Sequence, residues 1–219
     1  TETPRTGLQS IGVVSLLLAA KYEEIFPFDF RDAAYICDKA YTREQLLKTE
    51  TKVLKAVDYR LALPSVYHFL KWYAEGVLQD GAKGSPFPLA HEIAEYLAHA
   101  AAVSYPVSAL TLPSKIAAAC VFVAWMSTPS WPGRLASWDA VVAERMCDYS
   151  AEDLEDTVAA LKQHVRESAS SSLNGVRNRF STTKHFEVYK VPLVWSVAPV
   201  PMPMPTPVAV AVPVPLVPA

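Results

Sequence analysis

Two helix-length stretches that are apolar on nearly every side constrain this chain most strongly. The first covers residues 8–24 and the second residues 115–126, opened by Pro113. A helix with no polar face cannot lie on a surface, so each stretch predicts the central helix of a helical bundle. The stretches begin about 105 residues apart, at residues 8 and 113, and amphipathic segments accompany each of them. This repeat predicts an all-α fold of two similar bundles in tandem.

The two predicted bundles are unequal in length. We expect about five helices in the second bundle, between Ser65 and Ser168, but only three in the first, which opens directly on its central helix. Because an uncovered central helix would expose a large apolar face, we expect the native protein to continue upstream of Thr1. At the other end, residues 191–219 form a Pro/Val-rich tail, which is expected to be polyproline-like or disordered.

Capping signals set the expected helix boundaries. Thr42 and Gln45 predict a capping box that opens a helix ending near Val57, and Ser150 is the expected N-cap of a long final helix. A loop rich in Gly and Pro is expected from Gln79 to Pro88. The other predicted helices cover residues 32–40, 65–73, 89–104 and 138–147.

Charge and cysteine content narrow the functional classes. The chain has 20 Lys and Arg against 22 Asp and Glu, a net charge of −2, which gives no electrostatic reason to expect nucleic acid or an anionic membrane as partner. No membrane span is predicted, because Lys21 ends the first apolar run early, and Pro106, Pro113 and Lys115 interrupt the longer apolar stretch from Ala100 to Met126. Cys37, Cys120 and Cys147 are expected to be reduced and buried.

No enzyme signature is present in the sequence. We find no Gly-rich phosphate loop, no nucleophile motif and no metal-ligand spacing, and the five His residues are scattered. We therefore expect a chain that is not an enzyme and that needs no cofactor or metal.

Three motifs are specific in combination. The first runs from Leu18 to Ile25 (Leu-Ala-Ala-Lys-Tyr-Glu-Glu-Ile), the second from Tyr41 to Leu47, and the third from Leu112 to Ala119. Together they resemble the cyclin family, closest to the G2/mitotic B-type cyclins, with A-type cyclins next. The resemblance implies tandem cyclin-box bundles: a partial N-terminal box over residues 1–62 (helices 3–5 of that box), a C-terminal box over residues 63–190, and the tail over residues 191–219.

The resemblance also implies a partner and a surface. A cyclin binds the catalytic subunit of a cyclin-dependent kinase as a heterodimer and activates it allosterically, here at the G2/M transition and in mitosis. Lys21 and Glu50 would form the polar centre of the contact, with Glu24 near the kinase activation loop. The apolar neighbours implied by the motifs are Tyr22, Leu54, Tyr59 and Leu61, although Leu54 and Leu61 equally suit an ordinary core.

A second surface is implied for kinase substrates or inhibitors. The family docks them on a hydrophobic patch, of which Gln9, Ile36 and Asp38 are the residues present here. Because the first-helix motif of that patch is absent, the patch is expected to be incomplete. The resemblance implies localisation to the nucleus and cytoplasm. The alternative function is a cyclin-fold scaffold or transcription-associated helical protein that activates no kinase.

Overall fold

The computed structural model describes residues 4–78, 87–128, 135, 137–144 and 147–195. All regular secondary structure in this part of the chain is helical, which confirms the expected all-α fold. The chain divides into two compact units, Thr1–Leu63 and Pro64–Ala219, called here unit 1 and unit 2.

Unit 1 contains three α-helices packed against one another. They are α1 (Leu8–Glu23), α2 (Phe30–Ile36) and α3 (Arg43–Ala56), with a 3₁₀ turn at Arg5–Gly7 before α1. The small core that they share consists of Val14, Leu18, Ala33 and Leu46. Helix α1 supplies two of these residues, and it is the helix that the apolar pattern placed at the centre.

Burial of α1 is confined to one face. Its buried residues are Ser10, Val14, Leu17 and Leu18, whose spacing of three and four places them on one side of the helix. Leu8 and Leu16 are each 56% exposed, although the sequence gives this helix no polar face. Within unit 1, therefore, α2 and α3 cover one face of α1, which agrees with the expectation that the first bundle is incomplete.

Helix α2 corrects the predicted boundary of residues 32–40 at both ends. The Asp29 carboxylate accepts hydrogen bonds from the backbone N–H groups of Arg31 and Asp32, at 2.7 and 3.1 Å, so the helix begins at Phe30. It ends at Ile36 because Asp38 and Lys39 adopt left-handed φ values of 52° and 58°. Their N–H groups donate to Tyr35 and Ala34, the pattern of a Schellman C-cap.

Helix α3 confirms the predicted capping box. Gln45 N–H donates to the Thr42 hydroxyl at 3.3 Å, and Thr42 N–H donates to the Gln45 side chain at 2.7 Å. The helix closes with a second Schellman pattern, in which Asp58 N–H donates to Lys55 and Tyr59 N–H donates to Leu54. Asp58 and Tyr59 have φ values of 53° and 55°, so neither helix end uses the glycine that usually marks it.

Unit 2 is built around one wholly buried helix. Its helices are α4 (Val66–Val77), α5 (Pro88–Ala102), α6 (Tyr105–Leu110), α7 (Pro113–Ser127), α8 (Trp138–Ala143), α9 (Ala151–Ser168) and α10 (Gly175–Phe180). Every residue of α7 from Ile116 to Trp125 is buried, and α4, α5 and α9 pack around it. The prediction of a central apolar helix is confirmed here.

Aromatic packing and caps fix the surroundings of α7. The Trp138 ring lies edge-on to Phe122, 4.9 Å between centroids, and its indole N–H donates to the Tyr149 carbonyl at 2.9 Å. The predicted N-cap Ser150 is confirmed, since its hydroxyl accepts the N–H of Asp153. Cys37, Cys120 and Cys147 are all unpaired and buried, as expected.

Some helix boundaries in unit 2 differ from the predictions. Helix α4 extends past the predicted Tyr73 to Val77, and α6 was not predicted because Pro106, its second residue, was read as an interruption. The predicted loop from Gln79 to Pro88 lies outside the described residues except for Phe87 and Pro88, and Pro88 begins α5. Helix α8 ends at Ala143, and two residues of the predicted 138–147 helix, 145 and 146, are not described.

The end of the described chain packs on unit 2. The N–H of Val194 donates to the Ser127 hydroxyl at 2.9 Å, and Leu193 and Trp195 are partly buried against the core. The ordered packing therefore includes residues 191–195 of the expected tail. Residues 196–219, which carry most of its Pro-rich sequence, lie outside the described residues.

Candidate functional site

The predicted polar centre, Lys21 and Glu50, forms one ion pair on unit 1. The Lys21 ammonium donates to Glu50 Oε1 at 2.6 Å, from the last turn of α1 to the middle of α3. The Lys21 side chain is 41% exposed and the Glu50 side chain 14%. The pair therefore presents mainly the lysine to solvent, with the carboxylate behind it.

The packing of the unit 1 core brings Lys21 and Glu50 together. Leu18 lies three residues before Lys21 on α1, and Leu46 lies four residues before Glu50 on α3, so each charged residue follows a core residue on the same helix face. The ion pair thus continues the apolar contact between α1 and α3. The polar atoms of the pair lie at the end of the α1–α3 contact, where the contact meets solvent.

The aromatic ring of Phe30 is a third component of this pair. The Lys21 Nζ lies 4.7 Å from the centroid of the Phe30 ring, within the range of a cation–π contact. Phe30 is the first residue of α2 and is partly buried against the core of unit 1. All three helices of unit 1 therefore contribute to the position of one ammonium group.

The predicted apolar neighbours lie on both sides of the ion pair along the chain. Tyr22 is exposed next to Lys21, while Leu54 lies one turn beyond Glu50 and is partly buried against the core. Tyr59 is 61% exposed, and its backbone is fixed by the hydrogen bond from its N–H to the Leu54 carbonyl at 2.9 Å. Leu54 thus packs in the core of unit 1 and also supports Tyr59.

No hydrogen bond or ion pair joins the side chain of Glu24 or Leu61 to Lys21 or Glu50 within the described residues. Glu24 caps the C-terminal end of α1, where its N–H donates to the Ala20 carbonyl at 2.8 Å, and its carboxylate makes no ion pair within the described residues. Leu61 is partly exposed two residues beyond Tyr59. Their predicted roles in kinase contact remain predictions.

The predicted docking residues occupy a different part of unit 1. Gln9 is exposed in the first turn of α1, Ile36 is the exposed last residue of α2, and Asp38 lies in the turn after it. The Tyr41 hydroxyl donates to the Thr6 carbonyl at 2.9 Å, which ties the start of α1 to the segment after that turn. Nothing in these contacts tests a docking function, so it remains a prediction.

Two exposed apolar residues follow Glu24: Ile25, which ends the first motif, and Phe26, which the sequence reasoning missed. Ile25 is 87% exposed and Phe26 is 92% exposed, in the short segment between α1 and α2 that follows Glu24. Together with Tyr22, they are exposed apolar residues close to Lys21 in the sequence. The signal available in the sequence was two apolar residues just before Pro27, outside any helical period.

Two other features, a metal centre and a membrane-spanning helix, are absent from the described ranges. Across these residues no group of three His, Cys, Asp or Glu side chains could hold a metal ion. No helix in the same ranges is both long and apolar enough to cross a membrane.

Comparison with known proteins gives matches over nearly the whole described chain. Residues 1–62 match the family described as "Cyclin, N-terminal domain", and residues 64–193 match "Cyclin, C-terminal domain". A G2/mitotic-specific cyclin-B of Spisula solidissima is 31% identical over 202 residues, which cover 89% of this chain and 44% of that protein. A G2/mitotic-specific cyclin-B of Hydra viridissima is 28% identical over 190 residues, 86% of this chain and 44% of that protein.

An A-type relative matches at a similar level. Cyclin-A3-2 of Oryza sativa subsp. japonica is 29% identical over 180 residues, which cover 82% of this chain and 45% of that protein. The chain spans less than half the length of each of these three curated relatives.

Proposed function

The chain belongs to the cyclin family, and on that premise we propose that it is a regulatory subunit that binds and allosterically activates a cyclin-dependent protein kinase. The observation that carries the proposal is the Lys21–Glu50 ion pair, exposed on unit 1 beside Tyr22. Membership of the family supplies the class of partner, and the surface around this pair supplies the means of contact.

The ion pair retains hydrogen-bonding capacity for a partner. A lysine ammonium has three donors, and Glu50 uses one of them, so two remain for carbonyl groups of a kinase main chain. Glu50 Oε2 can accept an N–H from the same segment. Charged hydrogen bonds of this kind fix the register of an interface, and the exposed rings of Tyr22 and Tyr59 are the type of side chain that dominates interface affinity.

Activation would follow from preferential binding to one kinase conformation. If this surface binds the active placement of the kinase C-helix more tightly than the inactive one, binding shifts the kinase population toward the active state. The chain then contributes binding free energy and no catalytic group. Its role is regulatory rather than enzymatic.

The finer assignment is control of the G2/M transition and mitosis, from the nucleus and cytoplasm. The two G2/mitotic-specific cyclin-B relatives support this assignment, while the A-type relative at similar identity makes an A-type role the nearest alternative. Gln9, Ile36 and Asp38 would give a partial surface for kinase substrates or inhibitors. A cyclin-fold scaffold or transcription-associated protein is the alternative that involves no kinase activation.

A binding titration separates these possibilities. The chain is titrated into the catalytic subunit of a mitotic cyclin-dependent kinase by calorimetry, as wild type and as Lys21→Glu. Lys21→Glu places two carboxylates together and should weaken binding by at least about thirtyfold, as expected for a central contact. The matched control is Lys52→Glu, which makes the same charge change on the exposed face of α3, two residues from Glu50.

The control should bind within about twofold of wild type, since surface substitutions usually change free energies by under about 0.5 kcal/mol. Absence of binding by the wild-type chain would contradict the proposal and favour the scaffold reading. Equal weakening by both variants would show that net charge, rather than this surface, determines binding.

A further inference from the structure

Phe30 has a contact that the proposed kinase surface does not by itself explain. Its ring lies 4.7 Å from the Lys21 ammonium and 6.0 Å from the Arg43 guanidinium carbon, so cations from α1 and α3 both approach one aromatic ring at the start of α2. The Lys21 ammonium therefore has two partners in unit 1, the Glu50 carboxylate and the Phe30 ring.

The local structure fixes the ring in this place. Phe30 directly follows the N-cap Asp29, which makes a reciprocal capping box with Asp32, so the backbone at Phe30 is set by hydrogen bonds on both sides. Its ring is partly buried against the core of unit 1. A ring anchored by its backbone and by the core is a firm support for a flexible lysine.

The Phe30 ring restricts a lysine side chain that is otherwise flexible. A lysine side chain has many rotamers, and one exposed ion pair restricts it weakly. The ring face adds a second attraction, which restricts the ammonium further. Pre-organisation of this kind lowers the cost of ordering the side chain on binding.

We propose that Phe30 is a positioning residue: its ring holds the Lys21 ammonium against Glu50 in the geometry that meets the kinase. The inference rests on the proposed function, because the effect of this geometry is measured as affinity for the kinase. Phe30 acts through Lys21 and needs no contact with the kinase.

The first test needs no kinase. Protons above an aromatic ring are shifted upfield, so in NMR spectra of the 219-residue chain the Lys21 Cε protons should appear upfield of those of the exposed Lys52. Phe30→Leu should remove that shift, and Phe30→Tyr, which keeps the ring, should retain it. Ordinary shifts for Lys21 in the wild-type chain would overturn the proposal, whatever the stability of the variants.

The second test is a double-substitution cycle on kinase affinity. Phe30→Leu should weaken binding by about threefold to tenfold, the effect of losing one partly exposed cation–π contact. In a Lys21→Met background the same change should have little further effect, because the ammonium is already absent. An equal loss in both backgrounds would show that Phe30 acts by packing, or by touching the kinase, and would overturn the inference.

The two failures are distinguishable. If the wild-type chain binds no kinase, the proposed function fails while the NMR comparison still decides whether Phe30 holds Lys21. If the wild-type chain binds and the cycle shows no coupling, the proposed function stands and the role of Phe30 is wrong.

Discussion

The unequal exposure of Lys21 and Glu50 predicts that their removal has unequal effects on stability. Lys21→Met takes away the ammonium and keeps an apolar side chain that can still pack on Phe30. Glu50→Gln takes away the carboxylate and keeps its shape. Both changes remove the same ion pair, so a description of the pair by its 2.6 Å distance alone predicts equal losses.

The burial of the two partners gives the size of the difference. Lys21→Met leaves a carboxylate that is only 14% exposed without its cation, at a cost of about 1–3 kcal/mol for an unsatisfied buried group. Glu50→Gln leaves an ammonium that is 41% exposed and can turn to solvent, so its loss is that of a surface pair, about 0.2–1 kcal/mol. Lys21→Met should therefore be the more destabilising by about 1 kcal/mol.

Denaturant titration followed separately in the two units measures this difference. Methyl NMR signals of Val14 and Leu46 report on unit 1, whereas all five tryptophans follow Pro64 and report on unit 2 through fluorescence. Lys52→Met, on an exposed position of α3, is the control and should change the free energy of unfolding by less than about 0.5 kcal/mol. Equal losses for Lys21→Met and Glu50→Gln, or a larger loss for Glu50→Gln, would refute the reasoning.

Three further predictions concern helix ends, the core and pH. Lys39→Gly should raise the free energy of unfolding of unit 1 by about 0.5–1 kcal/mol, because Lys39 has a left-handed φ that glycine adopts without strain. The control Lys48→Gly, inside α3, should lower that free energy by about 1 kcal/mol. A lower free energy of unfolding for Lys39→Gly would contradict the prediction. Phe122→Ala should destabilise unit 2 by about 3–5 kcal/mol, since the ring is buried against Trp138, and a loss under about 1 kcal/mol by tryptophan fluorescence would be inconsistent with that packing. The His91 imidazole donates a hydrogen bond to the Glu95 carboxylate, which raises the pKa of His91 and lowers the pKa of Glu95, so their mutual stabilisation is complete between about pH 5 and 6. This stabilisation is lost as pH rises through the His91 pKa or falls through the Glu95 pKa. His91→Gln should therefore lower the free energy of unfolding by about 0.5 kcal/mol at pH 5.5 and by less at pH 8.5. A larger loss at pH 8.5 than at pH 5.5 would contradict this.

Local capping chemistry was the most predictable part of the fold. The starts of α3 and α9 were placed correctly because Thr42 with Gln45, and Ser150 with Asp153, satisfy the first N–H groups of a helix within four residues of sequence. The central position of α7 was also predictable, because its sequence has no polar face that could lie against solvent.

The boundaries that were wrong have identifiable causes. Helix α2 ends early because Asp38 and Lys39 take the left-handed conformation without a glycine to announce it. Helix α6 was missed because Pro106 occupies its second position, where a proline is tolerated, and was read instead as an interruption.

The site was less accessible to local reasoning. Lys21 and Glu50 are 29 residues apart, and no helical or strand period connects them, so only the resemblance to a family paired them before the structure placed them in contact. Phe30 was missed altogether, because its approach to Lys21 depends on where α2 packs and not on any spacing along the chain. Contacts between elements are the information that sequence patterns lack.

The central claim is that the Lys21–Glu50 surface of this chain activates a cyclin-dependent kinase. The most direct test is the rate at which the catalytic subunit of a mitotic cyclin-dependent kinase phosphorylates a histone-derived peptide, measured as the 219-residue chain is added. We expect the rate to rise to saturation with wild type and with Lys52→Glu, and to remain near the level of the kinase alone with Lys21→Glu over the same concentrations. No rise with the wild-type chain, or the same rise with Lys21→Glu, would contradict the claim.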